Sequence, residues 1–491
     1  MRESGQSLTR GTSTSLNQST SSRDEIPFSK VFLRIFTSTI PAIVYIFATF
    51  FMLLINLYFM SKRASMVEVD GVGLGNSWWM IIHLSVLVGL NVGTSTFAAQ
   101  AYGALNYSMV ALYCHRGFIL RVINILPSYL LCLTSFYIFR LIGVREEVAE
   151  VASVYCINSL FAMVSSTLYD SLRSYISAHN IFLPAMAVQA FVAFVHWFWC
   201  KLFVDVLDFG VKGPIIAFGS SMLTGTILLL AYILLSKEFT MTRYWFRRNC
   251  FEGLWGQLKN EIFIASFFLL QWVAYECYTL LAGQLQEDQI AAQSFSFIII
   301  AIITTPPLAL SIIGTIYIGN SLGRRDAAMA RTISKAIFLT SAIFCILEAL
   351  FLVFLKTEIA AFLTSDEHIK ESIISALLVY LIFMPLDIFQ HAVTGILKGA
   401  GREKLAALLF LISFYLVGLS MAYVFGVSIE HTSSGIWFGM GIGISSMAVM
   451  ASFLLWKTSY DYQIYKIEIR MLDDEPSYRF SEENMLITGL N

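Results

Sequence analysis

The chain has 491 residues, of which 57% are hydrophobic and only 13% are charged. This balance is far from that of an ordinary soluble globular protein, and the net charge of −1 does not suggest a nucleic-acid partner. The seven cysteines form no C-x-x-C pair and mostly lie in apolar runs, so the sequence predicts neither a disulfide framework nor a metal site.

The chain opens with a Ser- and Thr-rich stretch, residues 1–30, which lacks the apolar core of a signal peptide and is predicted to be a disordered tail. Twelve apolar segments follow, each long enough to cross a bilayer as a helix. We place them at 35–59, 72–98, 117–139, 148–171, 182–206, 213–236, 261–283, 290–318, 332–355, 370–397, 404–427 and 434–457. A second polar tail is predicted at 458–491.

Lysine and arginine are unevenly distributed between the two sides of the predicted membrane. Of the 32 basic residues, 24 lie in the two tails or beside the connections that follow even-numbered helices. The positive-inside rule therefore predicts that both termini are cytoplasmic. Under this topology the acceptor motif Asn106-Tyr-Ser faces the cytosol and should carry no glycan.

The two halves of the apolar region repeat each other. Gly103-Ala-Leu-Asn-Tyr-Ser-Met matches Gly323-Arg-Arg-Asp-Ala-Ala-Met at an offset of 220 residues. Each half holds six helices, an even number, so both halves enter the membrane in the same sense and are related by a pseudo-two-fold axis along the membrane normal. We therefore predict an all-α polytopic membrane protein with twelve transmembrane helices in two six-helix lobes. Its parts are an N-lobe at 31–236, a basic cytoplasmic linker at 237–260 and a C-lobe at 261–457.

The tenth apolar segment carries a carboxylate, Asp387. Such a group within a bilayer costs about 2.5–3.5 kcal/mol or more, and by default it marks a functional site. Gln390, His391 and Thr394 share its helical face, and Pro385 loosens the helix nearby. This stripe predicts the lining of a cavity; the alternative is a polar cluster that joins two helices.

Several short motifs resemble motifs of the multidrug and toxic compound extrusion (MATE) transporters, in particular of their eukaryotic branch, and they occur in the same order. They are Gly71-Val-Gly-Leu-Gly-Asn76 with Gln100-Ala-Tyr-Gly-Ala104, Phe251-Glu-Gly-Leu-Trp with Gln271-Trp-Val-Ala-Tyr-Glu276, Pro307-Leu-Ala-Leu-Ser, Gly319-Asn-Ser-Leu-Gly323, and Gly395-Ile-Leu-Lys-Gly-Ala-Gly-Arg402. The resemblance extends from about residue 30 to residue 458. It implies a V-shaped pair of lobes and antiport, in which a proton or sodium ion enters as an organic compound leaves.

The resemblance also implies which side chains bind the coupling ion and the substrate. Asp387 matches an acid of the family's tenth helix and Glu276 an acid of the seventh, although Glu276 can also be explained as a hydrogen-bonded structural carboxyl. Gln271 stands where many eukaryotic members carry a further acid, and Asn56 stands where many prokaryotic members carry Asp. The predicted cavity is therefore poorer in acids than those of its relatives.

Other polar residues in the apolar segments are further candidates. Glu348, in the ninth segment, is a candidate proton site without a counterpart in the family motifs. His391 and Gln390 join Asp387 in the predicted site; His391 either relays a proton or packs as a plain histidine. Asp170 and Arg173 are three residues apart and predict an ordinary ion pair on one helix.

We predict a secondary active antiporter that exports small organic cations, drugs or metabolites in exchange for protons or sodium ions. The alternatives are a flippase for lipids or lipid-linked sugars of the same superfamily, and a non-transporting sensor that kept the fold. An enzyme would need a polar or metal-binding cluster at one membrane face, and the sequence shows none, so we expect no enzyme and no cofactor beyond the coupling ion. We expect a monomer in the plasma membrane or in a vacuolar or other internal membrane, with the small organic substrate and the bilayer as its partners.

Overall fold

The computed structural model describes residues 26–63, 65–243 and 248–474, and within these ranges the chain is helical and has no strand. In that part of the chain, ten helices are long and apolar enough to cross a membrane, and two bent helix pairs bring the number of spans to twelve. This agrees with the twelve predicted segments. In chain order the helices are α1 Phe28–Arg63, α2 Met66–Gly103, α3 Tyr107–Leu133, α4 Ser135–Leu141, α5 Glu146–Ile157, α6 Leu160–Ala178, α7 Leu183–Val206, α8 Gly210–Leu235, α9 Leu254–Ala282, α10 Glu287–Ile303, α11 Thr305–Gly323, α12 Ala327–Leu363, α13 Glu367–Gly399, α14 Glu403–Ile429, α15 Ser433–Trp456 and α16 Tyr460–Asp474.

Two of the predicted spans, at 148–171 and 290–318, are not single helices. The chain bends by 47° between α5 and α6 and by 41° between α10 and α11. At the first bend Asn158 Nδ2 donates to the Val154 carbonyl, 2.8 Å away, so a side chain competes with the helical ladder. At the second bend Pro306 and Pro307 have no amide hydrogen to donate to the preceding turn. Each of these two predicted spans is therefore a pair of helices with a break between them.

The internal repeat is visible in the backbone. Leu105 and Arg325 both have a left-handed φ, 60° and 59°, although neither is a glycine. The residue after each of them caps the next helix: Asn106 Oδ1 accepts from Met109 N, and Asp326 Oδ1 accepts from Met329 N. The two halves therefore share the same turn chemistry, as a repeated six-helix unit requires.

Each half has its own apolar core. One core packs α1, α2 and α5–α8 around side chains such as Trp79 and Tyr155. The other packs α9, α10 and α12–α15 around side chains such as Tyr278 and Trp437. We call the two halves the N-lobe and the C-lobe. The C-lobe begins earlier than predicted, because α9 starts at Leu254, inside the segment that we assigned to the linker.

The lobes meet closely at the face of the bundle where α1 begins and α15 ends, which we call the terminal face. There α2 and α11 cross with almost no space between their backbones. A Cβ atom added to Gly103 would lie 2.1 Å from the Asn320 carbonyl oxygen, and one added to Gly323 would lie 2.0 Å from the Gln100 carbonyl oxygen. Only glycine permits this approach at either position, and the contact obeys the pseudo-two-fold symmetry of the repeat.

Part of the segment predicted as a polar tail is a packed helix. Helix α16 buries Tyr460, Gln463 and Ile467, which lie on one face at helical spacing. Its first half contacts the C-lobe, where the Tyr460 and Ser334 hydroxyls are 2.6 Å apart. Its last turn contacts the N-lobe, where Asp474 Oδ2 accepts from the Tyr113 hydroxyl at 2.9 Å. Helix α16 thus bridges both lobes across the terminal face. The remaining predicted tail residues, 1–25 and 475–491, lie outside the described residues.

Candidate functional site

A cavity of about 220 Å³ lies between the lobes, beyond their contact at the terminal face. Helices α1, α2, α6 and α8 line it from the N-lobe, and α9, α10, α11, α13 and α15 line it from the C-lobe. The α2 wall contains a π-helical turn, Met80–Leu84, of the kind that often lies beside functional sites. The lining is mostly apolar and aromatic. Its few polar side chains form one group on each lobe.

The group on the C-lobe is built around Asp387 of α13, which is only 3% exposed. The Tyr380 hydroxyl donates to its Oδ2 at 3.0 Å, and Gln390 Nε2 donates to its Oδ1 at 3.1 Å. His391 Nε2 lies 3.8 Å from Oδ1, and both His391 and Asp387 line the cavity. Pro385 sits inside α13 two residues before the acid and removes one backbone hydrogen bond there. Of the predicted polar stripe, Asp387 and His391 therefore line the cavity, whereas Gln390 and Thr394 are buried outside the lining.

Glu348 of α12 lies behind this group, outside the cavity lining. It is 9% exposed, and neither of its carboxyl oxygens has a hydrogen-bond partner among the described residues. Its helical neighbours Phe344 and Leu352 are buried apolar side chains. It interacts electrostatically with Asp387 and Tyr380. The sequence presented these two carboxylates as separate candidates, whereas in the structure they lie on helices that pack against each other and they interact electrostatically.

Gln271 and Glu276 of α9 have different surroundings. Gln271 lines the cavity, whereas Glu276 does not and lies beside Ser77 of α2. This agrees with the 100° turn per residue of a helix, which puts positions five residues apart on different faces. Of the two, only Gln271 is placed to touch a bound molecule.

Asn56, which the sequence grouped with these residues, is not at the cavity. The structure places it inside the N-lobe, where its Oδ1 lies 3.0 Å from His196 Nε2 and accepts from Cys200 Sγ at 3.3 Å. His196 Nδ1 is in turn 2.9 Å from the Ser221 hydroxyl. This buried network joins α1, α7 and α8 within one lobe.

The polar group on the N-lobe was only partly predicted. The expected pair between Asp170 and Arg173 is present, with Arg173 Nε 2.8 Å from Asp170 Oδ1, but both residues also line the cavity. The guanidinium lies 4.7 Å from the centre of the Tyr45 ring. Asn91 of α2 donates to the Asp170 carbonyl, and its own Oδ1 has no partner in the described part of the chain. The spacing of Asp170, Arg173 and Ser177, at i, i+3 and i+7, is the signal that would have identified this wall.

A further buried carboxylate, Glu261 of α9, links the lobes and was not predicted. Its Oε1 accepts from Thr94 Oγ1 of α2 at 2.9 Å and from Gln257 Nε2 at 2.7 Å. Arg121 Nη1 of α3 donates to the same Thr94 hydroxyl at 3.1 Å. Glu261 and Arg121 are both fully buried. Glu261 stands at the start of an apolar run, and by sequence alone it could not be distinguished from a charge at a helix end.

Two lobes of six apolar helices around a shared, acid-containing cavity define a multi-pass membrane protein with the architecture of a secondary transporter. The MatE family model matches residues 41–201 and again 264–424, one match in each lobe. The chain therefore belongs to the MatE family.

Relatives of known name cover most of this chain. Multidrug and toxin extrusion protein 1 of Xenopus tropicalis is 26% identical over 419 residues, which are 85% of this chain and 71% of that protein. Protein DETOXIFICATION 9 of Arabidopsis thaliana is 23% identical over 418 residues, which are 84% and 86% of the two chains. The crystal structure of the eukaryotic MATE transporter AtDTX14 superposes with a TM-score of 0.83 at 20% identity, covering 90% of this chain and 98% of the other. This superposition shows that the fold is shared.

Proposed function

We propose that this protein is a secondary active antiporter that exports small organic cations, including amphipathic drugs or metabolites, in exchange for protons or sodium ions. The observation that carries the proposal is Asp387, a buried carboxylate that lines the cavity between the lobes and is oriented by Tyr380 and Gln390. The names of the relatives, which describe multidrug and toxin extrusion, support the same reading.

Exchange follows from the cost of leaving Asp387 uncompensated. A carboxylate in a mostly apolar cavity needs a positive partner, because its own hydration has been removed. A proton, a sodium ion or the ammonium group of a substrate can each satisfy it, but only one of them at a time. A coupling ion that binds Asp387, or an acid whose charge is coupled to that of Asp387, therefore favours release of the cation, and arrival of the cation favours release of the ion.

The aromatic lining suits an amphipathic cation. Phe268, Trp272 and Tyr275 of α9 line the same cavity as Asp387. A ring face attracts a desolvated organic cation by about 0.5–2 kcal/mol, and the apolar part of the molecule gains about 25 cal/mol per Å² that it buries. We infer that these rings bind the body of the substrate while Asp387 binds its charge.

The orientation of the protein is part of the proposal. We infer that the terminal face, where basic residues concentrate, is cytoplasmic and that the protein lies in the plasma membrane or an internal membrane such as that of the vacuole. In the described conformation the lobes meet at that face. They must therefore separate there during the transport cycle for a substrate to enter the cavity from the cytoplasm. An N-linked glycan found on Asn106 would contradict this orientation.

The test is transport of a fluorescent organic cation in proteoliposomes, under a pH gradient or a sodium gradient imposed separately. We expect one of the gradients to drive flux in the wild type, and we expect Asp387→Asn to reduce that flux at least tenfold and to weaken equilibrium binding of the cation. Glu358→Gln is the matched control, because Glu358 is an exposed acid near the end of α12, in the same lobe. Full flux in Asp387→Asn would contradict the proposed site.

A further inference from the structure

We propose that Glu348 is a buried proton site, separate from the substrate cavity, and that it couples the exchange to protons rather than to sodium ions. This inference rests on the proposed function and names the ion and the second residue that the function uses. Two observations lead to it: the isolation of Glu348 from any hydrogen-bond donor, and its position beside Asp387.

The first observation concerns the surroundings of Glu348. Among the described residues no donor reaches either of its carboxyl oxygens, although more than nine-tenths of the residue is buried. An ionised carboxylate in such a place has lost its hydration, and no hydrogen bond replaces that hydration, so ionisation costs several kcal/mol or more. In the described conformation Glu348 is therefore a neutral acid that holds a proton.

The second observation concerns charge. The charged and titratable groups that interact with Glu348 are Asp387 and Tyr380 of α13 and Cys345 on its own helix, and none of them is a cation. Asp387 itself lies beside His391 and interacts electrostatically with Tyr275 of α9. Two carboxylates that interact in a poorly hydrated interior oppose each other's ionisation unless a cation joins them.

Together these observations give a balanced exchange step. With the cavity empty, the pair carries one proton, on Glu348, and one negative charge, on Asp387. When an organic cation binds Asp387, the positive charge of the cation offsets that carboxylate and attracts the Glu348 carboxylate, which lowers the cost of releasing the Glu348 proton. A proton therefore leaves Glu348 as the organic cation arrives at Asp387, so one positive charge replaces another although they bind at different residues.

The chemistry of the site favours a proton over a sodium ion. Hard metal cations bind through several oxygen ligands at once. Among the described residues no group is hydrogen-bonded to either carboxyl oxygen of Glu348, and its helical neighbours Phe344 and Leu352 are buried and apolar. A proton needs a single oxygen and fits this environment.

The experiment compares the wild type with Glu348→Gln, which imitates the protonated acid permanently. In proteoliposomes we expect Glu348→Gln to keep exchange of labelled for unlabelled organic cation within twofold of the wild type when no ion gradient is present. We expect the flux driven by a pH gradient to be at least tenfold lower in Glu348→Gln than in the wild type. In weakly buffered detergent solution, adding the cation should release protons from the wild type and not from the variant. Glu348→Asp, which retains a carboxyl group, should preserve part of the coupling, and Glu358→Gln should behave as the wild type.

The outcomes separate this inference from the proposed function. If the wild type exchanges organic cations but Glu348→Gln keeps full pH-driven flux, or if a sodium gradient alone drives the wild type, the proton site is refuted and the antiporter stands. If the wild type neither binds nor exchanges an organic cation under any gradient, the proposed function fails and this inference fails with it. A Glu348→Gln protein that does not fold leaves Glu348→Asp and the proton-release measurement on the wild type as the deciding tests.

Discussion

At the scale of single residues, intramembrane polar groups on one helical face were the informative signal. The stripe that starts at Asp387 could be predicted from spacing alone, and the structure places Asp387 and His391 on the cavity wall, whereas Gln390 and Thr394 are buried outside the lining. The same spacing in α6 was explained as a local ion pair, because a carboxylate beside an arginine needs no other partner. What the sequence did not contain was the packing of α1 and α6, which brings Asp170 and Arg173 to the cavity beside Tyr45. A pairwise contact within one helix is local, whereas the lining of a cavity is a property of the assembled lobes.

The ion pair in the N-lobe leads to a prediction about selectivity. Arg173→Gln leaves Asp170 as an unpaired carboxylate on the cavity wall, opposite Asp387. We expect the apparent affinity for organic cations to rise several-fold, because the cavity gains a negative charge. We also expect thermal stability to fall, since breaking a buried pair costs about 3–5 kcal/mol. Equilibrium binding of a fluorescent cation and a thermal melt in detergent measure the two effects.

The double variant Asp170→Asn with Arg173→Gln is the control for this prediction. It removes both charges, so affinity should return towards that of the wild type and part of the stability should be regained. An Arg173→Gln protein with unchanged affinity for the cation would show that this pair does not face the substrate.

At the scale of elements, hydropathy located all twelve spans but did not show their breaks or the last helix. The bend before α11 has a cause that is visible in the sequence, since Pro306 and Pro307 stand next to it. A long apolar run nevertheless predicts one continuous helix when only its average hydropathy is considered. Helix α16 was not predicted, for a different reason. It is short and polar on average. Its apolar face is buried only because both lobes pack against it.

Helix α16 should restrain the opening of the terminal face. Arg470 donates to Gln100 and lies over the Phe97 ring, and Asp474 accepts from Tyr113, so the end of α16 is fixed to the N-lobe. Replacing both Arg470 and Asp474 by Ala removes these contacts and leaves those to the C-lobe. We expect initial flux of an organic cation in proteoliposomes to rise by about two- to tenfold, which corresponds to contacts that together add about 0.4–1.4 kcal/mol to the barrier for opening.

The matched control for α16 is Lys466→Ala. Lys466 lies on the exposed side of the same helix, over the Tyr462 ring. Its removal should leave the flux unchanged. Flux that stays the same or falls in the folded Arg470→Ala, Asp474→Ala protein would contradict a restraining role for the helix.

At the scale of the whole molecule, the repeat explains both the cavity and the way it is closed. Two copies of one six-helix unit cross where Gly103 meets Asn320 and Gly323 meets Gln100, and this contact shuts the terminal face beneath the cavity. The sequence revealed the repeat through the matched turns at the ends of α2 and α11, but not which residues of one copy touch the other. Contacts such as Thr94 with Glu261 join the lobes in this conformation and must change if the lobes move apart.

The most direct test of this account asks whether the lobes must separate at the terminal face for transport to occur. The Ser38 and Tyr317 hydroxyls, on α1 and α11, are 3.0 Å apart across the lobes. In a Ser38→Cys, Tyr317→Cys protein, a short bifunctional thiol reagent should join the lobes, and flux of an organic cation should fall at least tenfold. The single variants treated with the same reagent, and the double variant treated with a monofunctional one, control for the seven native cysteines. Blocked flux in the cross-linked protein alone is the result that the account predicts. Undiminished flux from fully cross-linked protein would contradict it.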